Sequence, residues 1–251
     1  MIAIITGASA GLGTEFAKKI AEQFPEIDTL WLIARRVSLL EELAAQIPDK
    51  KVRCIGMDLC SVRSFKDLAD LLAAEHPQVE LLVNNAGCGT LGNLGEVSND
   101  TQMRMVDLNV RAMTLMVNTV LPYMPTGSRI INVSSIASFC PNSRMTVYSA
   151  SKAYVSAFTG GLADELKPKG ISVTAVCPGP MDTEFLDAAK IRGNSKAFRT
   201  LPYCDPAKVA EGTLKAAKRG KTFYTPRAFY KLYRVVAKIL PMKWMIPAAR
   251  T

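Results

Sequence analysis

Three features of the 251-residue chain predict an α/β fold, a single doubly wound parallel sheet in a three-layer α/β/α arrangement. Short β-branched runs alternate with longer segments of helical period, the pattern of strands joined by helical crossovers. The first run, Ile2-Ala3-Ile4-Ile5-Thr6, passes straight into a glycine-rich turn, Gly7-Ala8-Ser9-Ala10-Gly11-Leu12-Gly13, that opens a helix. Hydrophobic residues make up 49% and charged residues 21%, which excludes disordered, collagen-like and low-complexity chains.

The elements follow in order. After the strand at 2–6, helical period runs from Leu12 to Phe24, and Thr29–Ala34 is a compact apolar run that reads as the second strand. A helix at Ser38–Ile47, a strand at Val52–Met57 and a helix at Val62–Ala74, with Ser61 as its cap, complete the first half. A strand at Leu81–Val83 leads through a Gly-rich loop to a long helix at Thr101–Val120 and a strand at Arg129–Val133. A helix at Val147–Leu166 and a strand at Ser172–Cys177 finish the pattern. Right-handed crossovers place the ligand loops at the C-terminal ends of the strands.

The net charge of +9 is unevenly placed: residues 212–251 carry ten Lys/Arg and no Asp/Glu, leaving −1 for residues 1–211. The main body is therefore not an electrostatic trap for nucleic acid, and no nucleic-acid partner is expected. Six cysteines without any C-x-x-C pair, and an apolar strand directly after Met1, indicate reduced thiols and a cytoplasmic address.

The glycine turn lets backbone approach a pyrophosphate at a helix N-terminus. Gly7-Ala8-Ser9-Ala10-Gly11 also fits a nucleophile elbow, but the only histidine, His76, stands before Pro77 at the end of a predicted helix and is a poor partner base. No metal site is expected, with one histidine and no cysteine pair at ligand spacing. At the end of the second strand stand Arg35 and Arg36. A guanidinium there suits the 2′-phosphate of NADP(H), where a carboxylate would select NAD(H). Asp58 and Leu59 close the third strand, with Asp58 an acceptor for the adenine amino group. Asn84-Asn85-Ala86-Gly87 closes the fourth; its small residues allow backbone along the cofactor, and its amides tie neighbouring loops together. Ser135 precedes Tyr148 by twelve intervening residues, and Tyr148 and Lys152 stand at i and i+4 on one helix face. A tyrosine of pKa ~10 is about one part in a thousand ionised at pH 7, so a neighbouring ammonium is expected to depress it towards a usable base.

In combination and in order, Thr6–Gly13, Asn84–Gly87, Asn109, Ser135, Tyr148, Lys152 and Cys177-Pro178-Gly179-Pro180-Met181-Asp182-Thr183 closely resemble the classical short-chain dehydrogenase/reductase family over about residues 1–225. The resemblance implies a Rossmann-type catalytic domain, oxidoreduction of a small carbonyl or alcohol substrate, and a homodimer or homotetramer. It implies that Tyr148 exchanges a proton with the substrate oxygen, that Ser135 hydrogen-bonds that oxygen, and that Lys152 lowers the tyrosine pKa and holds the nicotinamide ribose. Asn109 would position a water relaying protons to Lys152. Gly7, Ser9, Ala10, Gly11, Leu12, Gly13, Asn85, Ala86 and Gly87 would line the cofactor. Pro178, Gly179 and Thr183 would seat its carboxamide, and Ser9 and Arg35 match positions that contact the 2′-phosphate. Ser138 departs from the pattern, standing where many members carry glycine.

Residues 184–204 occupy the place of the family's substrate lid, with Phe185, Leu186, Ile191 and Phe198 as apolar contacts and Gly193-Asn194 as a hinge. They suit a medium-sized apolar ketone or aldehyde. Cys88 and Cys140 are expected as small buried thiols. Residues 226–251 form a basic amphipathic extension in which Phe229, Leu232, Tyr233, Val236 and Leu240 share one helical stripe, and Lys231, Arg234 and Lys238 another. A helix packed on the domain or on another subunit is the first expectation. Peripheral contact with a membrane surface is the second, and a protein or nucleic-acid partner the third. A cofactor-binding protein with weak catalysis, acting through this tail, is the competing functional reading.

Overall fold

The computed structural model describes residues 1–251, with the side chains of all but Lys196 and Ala248. Its core is a seven-stranded, all-parallel sheet of order β3-β2-β1-β4-β5-β6-β7. The strands are β1 Ile2–Thr6, β2 Thr29–Ala34, β3 Lys51–Gly56, β4 Val79–Asn84, β5 Arg129–Val133, β6 Ser172–Val176 and β7 Phe223–Tyr224. Successive residues of the central strands enter opposite cores. Ala3 and Ile5, Leu30 and Leu32, and Leu81 and Val83 pack on one face; Ile4, Trp31, Ile33 and Leu82 pack on the other. Period-two alternation with both faces apolar is the signature of a sheet covered twice, and it explains why these strands read as continuous apolar runs.

One face is covered by α1 (Gly11–Gln23), α2 (Val37–Ala45) and, later in the chain, α9 (Pro206–Lys218). The other face holds α3 (Val62–Glu75), α4 (Asn99–Val106), α5 (Met113–Val120) and α6 (Thr146–Leu166). Phe16, Ile20 and the following Phe24 are fully buried from α1, giving that helix a firm apolar seat on the sheet. Ser61 stands at the N-cap of α3, but its hydroxyl accepts no cap hydrogen bond, because the turn there is held instead by Asp58: its carbonyl receives the Ser61 N–H and its carboxylate the Cys60 N–H.

The long helix expected at 101–120 starts at Asn99 and is not continuous. It consists of α4 (Asn99–Val106) and α5 (Met113–Val120), joined by a π-helical turn at Asp107–Ala112. Such a turn inserts a wider loop of backbone into a helix and recurs at functional sites. Here it carries Asn109. After α6 (Thr146–Leu166) and β6, the 184–204 segment forms two short helices, α7 (Glu184–Ala188) and α8 (Lys196–Thr200). α9 (Pro206–Lys218) begins at Asp205, whose carboxylate accepts from the Ala207 and Lys208 N–H groups, with Pro206 in the first turn. The chain closes with α10 (Ala228–Ile239) and α11 (Met242–Ala248).

The amphipathic stripe expected in the tail is divided. Tyr230, outside that stripe, is fully buried, and Tyr233 and Val236 pack inward around Phe139, while Phe229, Leu232 and Leu240 are exposed. The reason is steric. The glycine turn beneath α10 leaves room for the Tyr230 ring, and a Cβ on Gly179 would lie 2.2 Å from it.

Candidate active site

The strand order reverses between β1 and β4, where neighbouring crossovers leave on opposite sides of the sheet and open a crevice at the strand ends. The loops there are tied tightly together. Thr6 Oγ1 accepts from the Asn85 and Ala86 N–H groups at 3.0 and 3.1 Å, while Asn85 Nδ2 donates to the Thr6 and Gly7 carbonyls. Gly7 sits at φ +65°, and a Cβ on Gly13 would come within 2.2 Å of the Gly7 carbonyl oxygen, so the turn closes only without side chains. Ala10 at the N-cap of α1 offers no side-chain acceptor and the first turn holds no acid. The uncapped N–H groups therefore suit an anion, and this cradle fits the pyrophosphate of a dinucleotide.

A cavity of about 950 Å³ runs along this edge, at the upper end of the ~300–1,000 Å³ typical of small-molecule sites. Every residue predicted for the site lines it except Gly13 and Asn109. Gly13 lies behind the turn it permits. Asn109 is buried one layer back, where its amide accepts from the Cys88 N–H at 2.9 Å and donates to the Cys88 carbonyl at 2.9 Å and to Ser151 Oγ at 3.0 Å. Asn109 Oδ1 and Lys152 Nζ border the same small space beside Gly87, at 3.2 and 3.3 Å from the point its Cβ would occupy.

Tyr148, Ser135 and Lys152 are all buried at the floor of the cavity. Helix α6 presents Tyr148 and Lys152 on one face, with Lys152 Nζ 5.8 Å from the tyrosine ring centroid and donating to the Val133 carbonyl at 2.8 Å. Burial raises the Tyr148 phenol to about 12, opposed by its hydrogen bond with Ser135. Burial likewise lowers the Lys152 ammonium to about 8. The expected depression of the tyrosine by the lysine is thus reversed in the protein itself. Removing both groups from water disfavours both charges.

The other predicted residues have definite surroundings. Arg36 reaches over the crevice to Glu184 of α7 at 2.8 Å and to Ser9 Oγ at 3.4 Å, whereas Arg35 is exposed and, among the described residues, forms no ion pair. Asp58 accepts from the Cys60 N–H at 3.0 Å, and that bond, with Arg104 beside it, holds its carboxyl below the usual range. Thr183 lies over Gly11, within 3.2 Å of where a Cβ would be. Phe185 packs on the Tyr148 ring with centroids 5.7 Å apart, and Leu186 and Phe198 also line the cavity. Ile191 does not; it is buried in the same cluster as Tyr148 and Leu186. Cys88 is half-buried against the cavity and Cys140 is buried against the tail. His76 is exposed before the start of β4, at the N-terminal end of the parallel strands, whereas Ser9 follows the C-terminal end of the adjacent β1, so the two do not pair.

Sequence reasoning missed the tail as a wall of this site. Tyr230, Tyr233, Val236, Trp244 and Met245 face the cavity, and Tyr230 is fixed by donating to the Pro202 carbonyl at 2.7 Å. Thr251 also lines the cavity, and its hydroxyl reaches Asn142 and Ser143 at 2.8 Å. Ser151, the partner of Asn109, was missed as well; one turn after Tyr148 was its only signal.

A twice-covered parallel sheet with a glycine cradle at its switch point defines a dinucleotide-binding protein of the doubly wound class. The chain belongs to the short chain dehydrogenase family, whose profile matches residues 1–192, and it is an oxidoreductase of that family. An uncharacterized oxidoreductase of Staphylococcus saprophyticus is 30% identical over 223 residues, covering 87% of this chain and 91% of its own. A short-chain dehydrogenase from Sphingobium yanoikuyae, solved with NADPH, superposes with TM-score 0.80 at 26% identity, covering 96% of each chain. A short chain dehydrogenase/reductase from Burkholderia phymatum, solved with NAD, shares the fold with TM-score 0.81 at 24% identity, covering 94% of this chain and 92% of its own.

Proposed function

We propose that the protein reduces a medium-sized apolar ketone or aldehyde with NADPH, with Tyr148 as the proton donor. The observation that carries this reading is the convergence of Ser135, Tyr148 and Lys152 on the floor of one cavity that also holds the glycine cradle. A nicotinamide cofactor held at the glycine turn of Gly7, Gly11 and Gly13 would supply the hydride for the carbonyl carbon. Ser135 orients the carbonyl oxygen by a hydrogen bond, and Tyr148, held protonated by burial, gives that oxygen its proton. Lys152, while charged, stabilises the phenolate left behind, and Asn109 fixes the Cys88 backbone and the space beside Gly87 through which a proton returns. Phe185 and Phe198 exclude water and favour apolar substrates.

The preference for NADP(H) over NAD(H) rests on Arg35, Arg36 and Ser9 at the end of β2 and in the glycine turn, because the family includes both kinds of cofactor complex. Arg36 already holds the carboxylate of Glu184, and a 2′-phosphate offers the same fork more charge. The protein acts as a homodimer or homotetramer, and no helix among the described residues is long and apolar enough to cross a membrane. A binding protein with weak catalysis is disfavoured, since it has no need of the buried Ser135, Tyr148 and Lys152 set. The test is a panel of ketones and aldehydes from small aliphatic to steroid-sized, assayed with NADPH and with NADH by loss of nicotinamide absorbance. Turnover with NADPH that rises with substrate apolarity is expected. Turnover confined to NADH, or to small polar aldehydes, would overturn the reading.

A further inference from the structure

The exposed face of the C-terminal extension has no partner in the fold. On α10, Leu232, Val235 and Ile239 are 64%, 53% and 74% exposed, and Trp244 of α11 is 61% exposed. Leu232, Val235 and Ile239 follow helical spacing, so they form one apolar face of α10 turned away from the buried Tyr230 and Ala237, while Trp244 stands exposed on the next helix at the cavity mouth. Unlike the singly exposed Val62, Leu94 and Met103 elsewhere, apolar residues grouped on one helix face mark an interaction surface. Beside it stand the exposed Lys231, Lys238 and Lys243. From Arg227 onward no lysine or arginine enters an ion pair among the described residues, and from residue 212 onward the sequence has no acid to offer one.

We infer that α10 and α11 seat the molecule on an anionic lipid surface, with the Leu232, Val235 and Ile239 face of α10 entering the interface and the lysines meeting the headgroups. Charge selects this occupant. A second copy on a twofold axis would set the basic, acid-free patch against itself, which like charges oppose. A phosphate backbone would match the lysines but give the apolar face nothing to bury. A lipid surface satisfies both, and helices of twelve and seven residues are long enough to lie in it but too short to span it. Because Tyr233, Val236 and Trp244 also line the cavity, docking brings the wall of the active site to the lipid. The inference stands apart from the proposed reaction, since its test needs no turnover.

The full-length protein is floated with vesicles of phosphatidylcholine alone and of phosphatidylcholine containing 30–40% phosphatidylglycerol, roughly the range in which basic segments respond to surface charge. Association with the anionic vesicles only, weakened by raised salt, is expected. The triple variant L232S/V235S/I239S, at residues that do not line the cavity, should lose association at least tenfold, on the order of what ~25 cal/mol per Å² of lost burial predicts, with unchanged thermal melting. Equal association of the variant, or no preference of the native protein for anionic vesicles, would overturn the inference. So would a variant that changes the sedimentation mass of the native protein in the absence of lipid, which would make the face a contact between copies.

Discussion

Tyr148 and Lys152 sit one helical turn apart at the floor of the cavity, and burial moves each away from its charged form, to about 12 and about 8. The tyrosine therefore stays protonated through the physiological range, as a donor must, and the group that titrates nearby is the lysine. Its sign is fixed: Lys152 is charged below about 8 and neutral above, so its stabilisation of a developing phenolate is lost as pH rises. Carbonyl reduction should be level up to about pH 8 and decline above it, whereas a profile flat to pH 10 would remove Lys152 from this role. Arg35 carries the second prediction at this scale. Arg35→Ala should weaken NADPH binding about tenfold, from the loss of a charge-assisted hydrogen bond worth ~1.5 kcal/mol, and leave NADH binding unchanged in a fluorescence titration. Equal losses for both cofactors would assign the 2′-phosphate elsewhere. The spacing of Tyr148 and Lys152 was legible in the sequence because i and i+4 share a helix face wherever the helix goes. The direction of the tyrosine shift was not, because desolvation is a property of the closed fold. The partners of Asn109 were hidden for the same reason: Cys88 and Ser151 lie on other elements.

Helix α1 joins the cofactor cradle to the core, and its inner face is the clearest test of how the sheet holds the site. Phe16 is fully buried against the sheet, so Phe16→Ala should cost ~3–5 kcal/mol in urea unfolding through lost burial and the cavity left behind. A loss under 1 kcal/mol would mean that α1 is held mainly by other contacts. At this scale the sequence was read unevenly. Strands β1 and β2 were placed to the residue because each is an almost wholly apolar run closed by the glycine turn or by Arg35, and β5, Arg-Ile-Ile-Asn-Val, was placed to the residue by its apolar centre. Strand β7 is two residues long and shows no period. Helix α9 was overlooked although Asp205-Pro206 is a sound start signal, an acid to cap the first N–H groups and a proline that needs none. The π turn in the α4–α5 segment was not read, although its one extra residue shifts the apolar stripe by about 100° on either side of it. In α10 the stripe was found, but its division between a buried Tyr230 side and an exposed Leu232 side depended on Gly179, more than forty residues earlier.

The molecule as a whole has two electrostatic parts, a nearly neutral body at −1 and a tail at +10, and one continuous cavity that both parts wall. The body's fold class and the gathering of its site residues at the sheet's switch point were legible from strand alternation and the motif order. The tail's place over that site was not, because amphipathic period says that a helix packs but not where. What unites the two parts is the reaction assigned to the cavity floor, and Tyr148→Phe tests it most directly. The variant keeps the ring against Phe185 and removes only the hydroxyl. With NADPH and the best ketone of the panel, the rate should fall by roughly 10²–10⁴-fold, the range for a lost general acid, while NADPH affinity stays as in the native protein. Turnover by the variant at the native rate, with cofactor binding intact, would contradict the account.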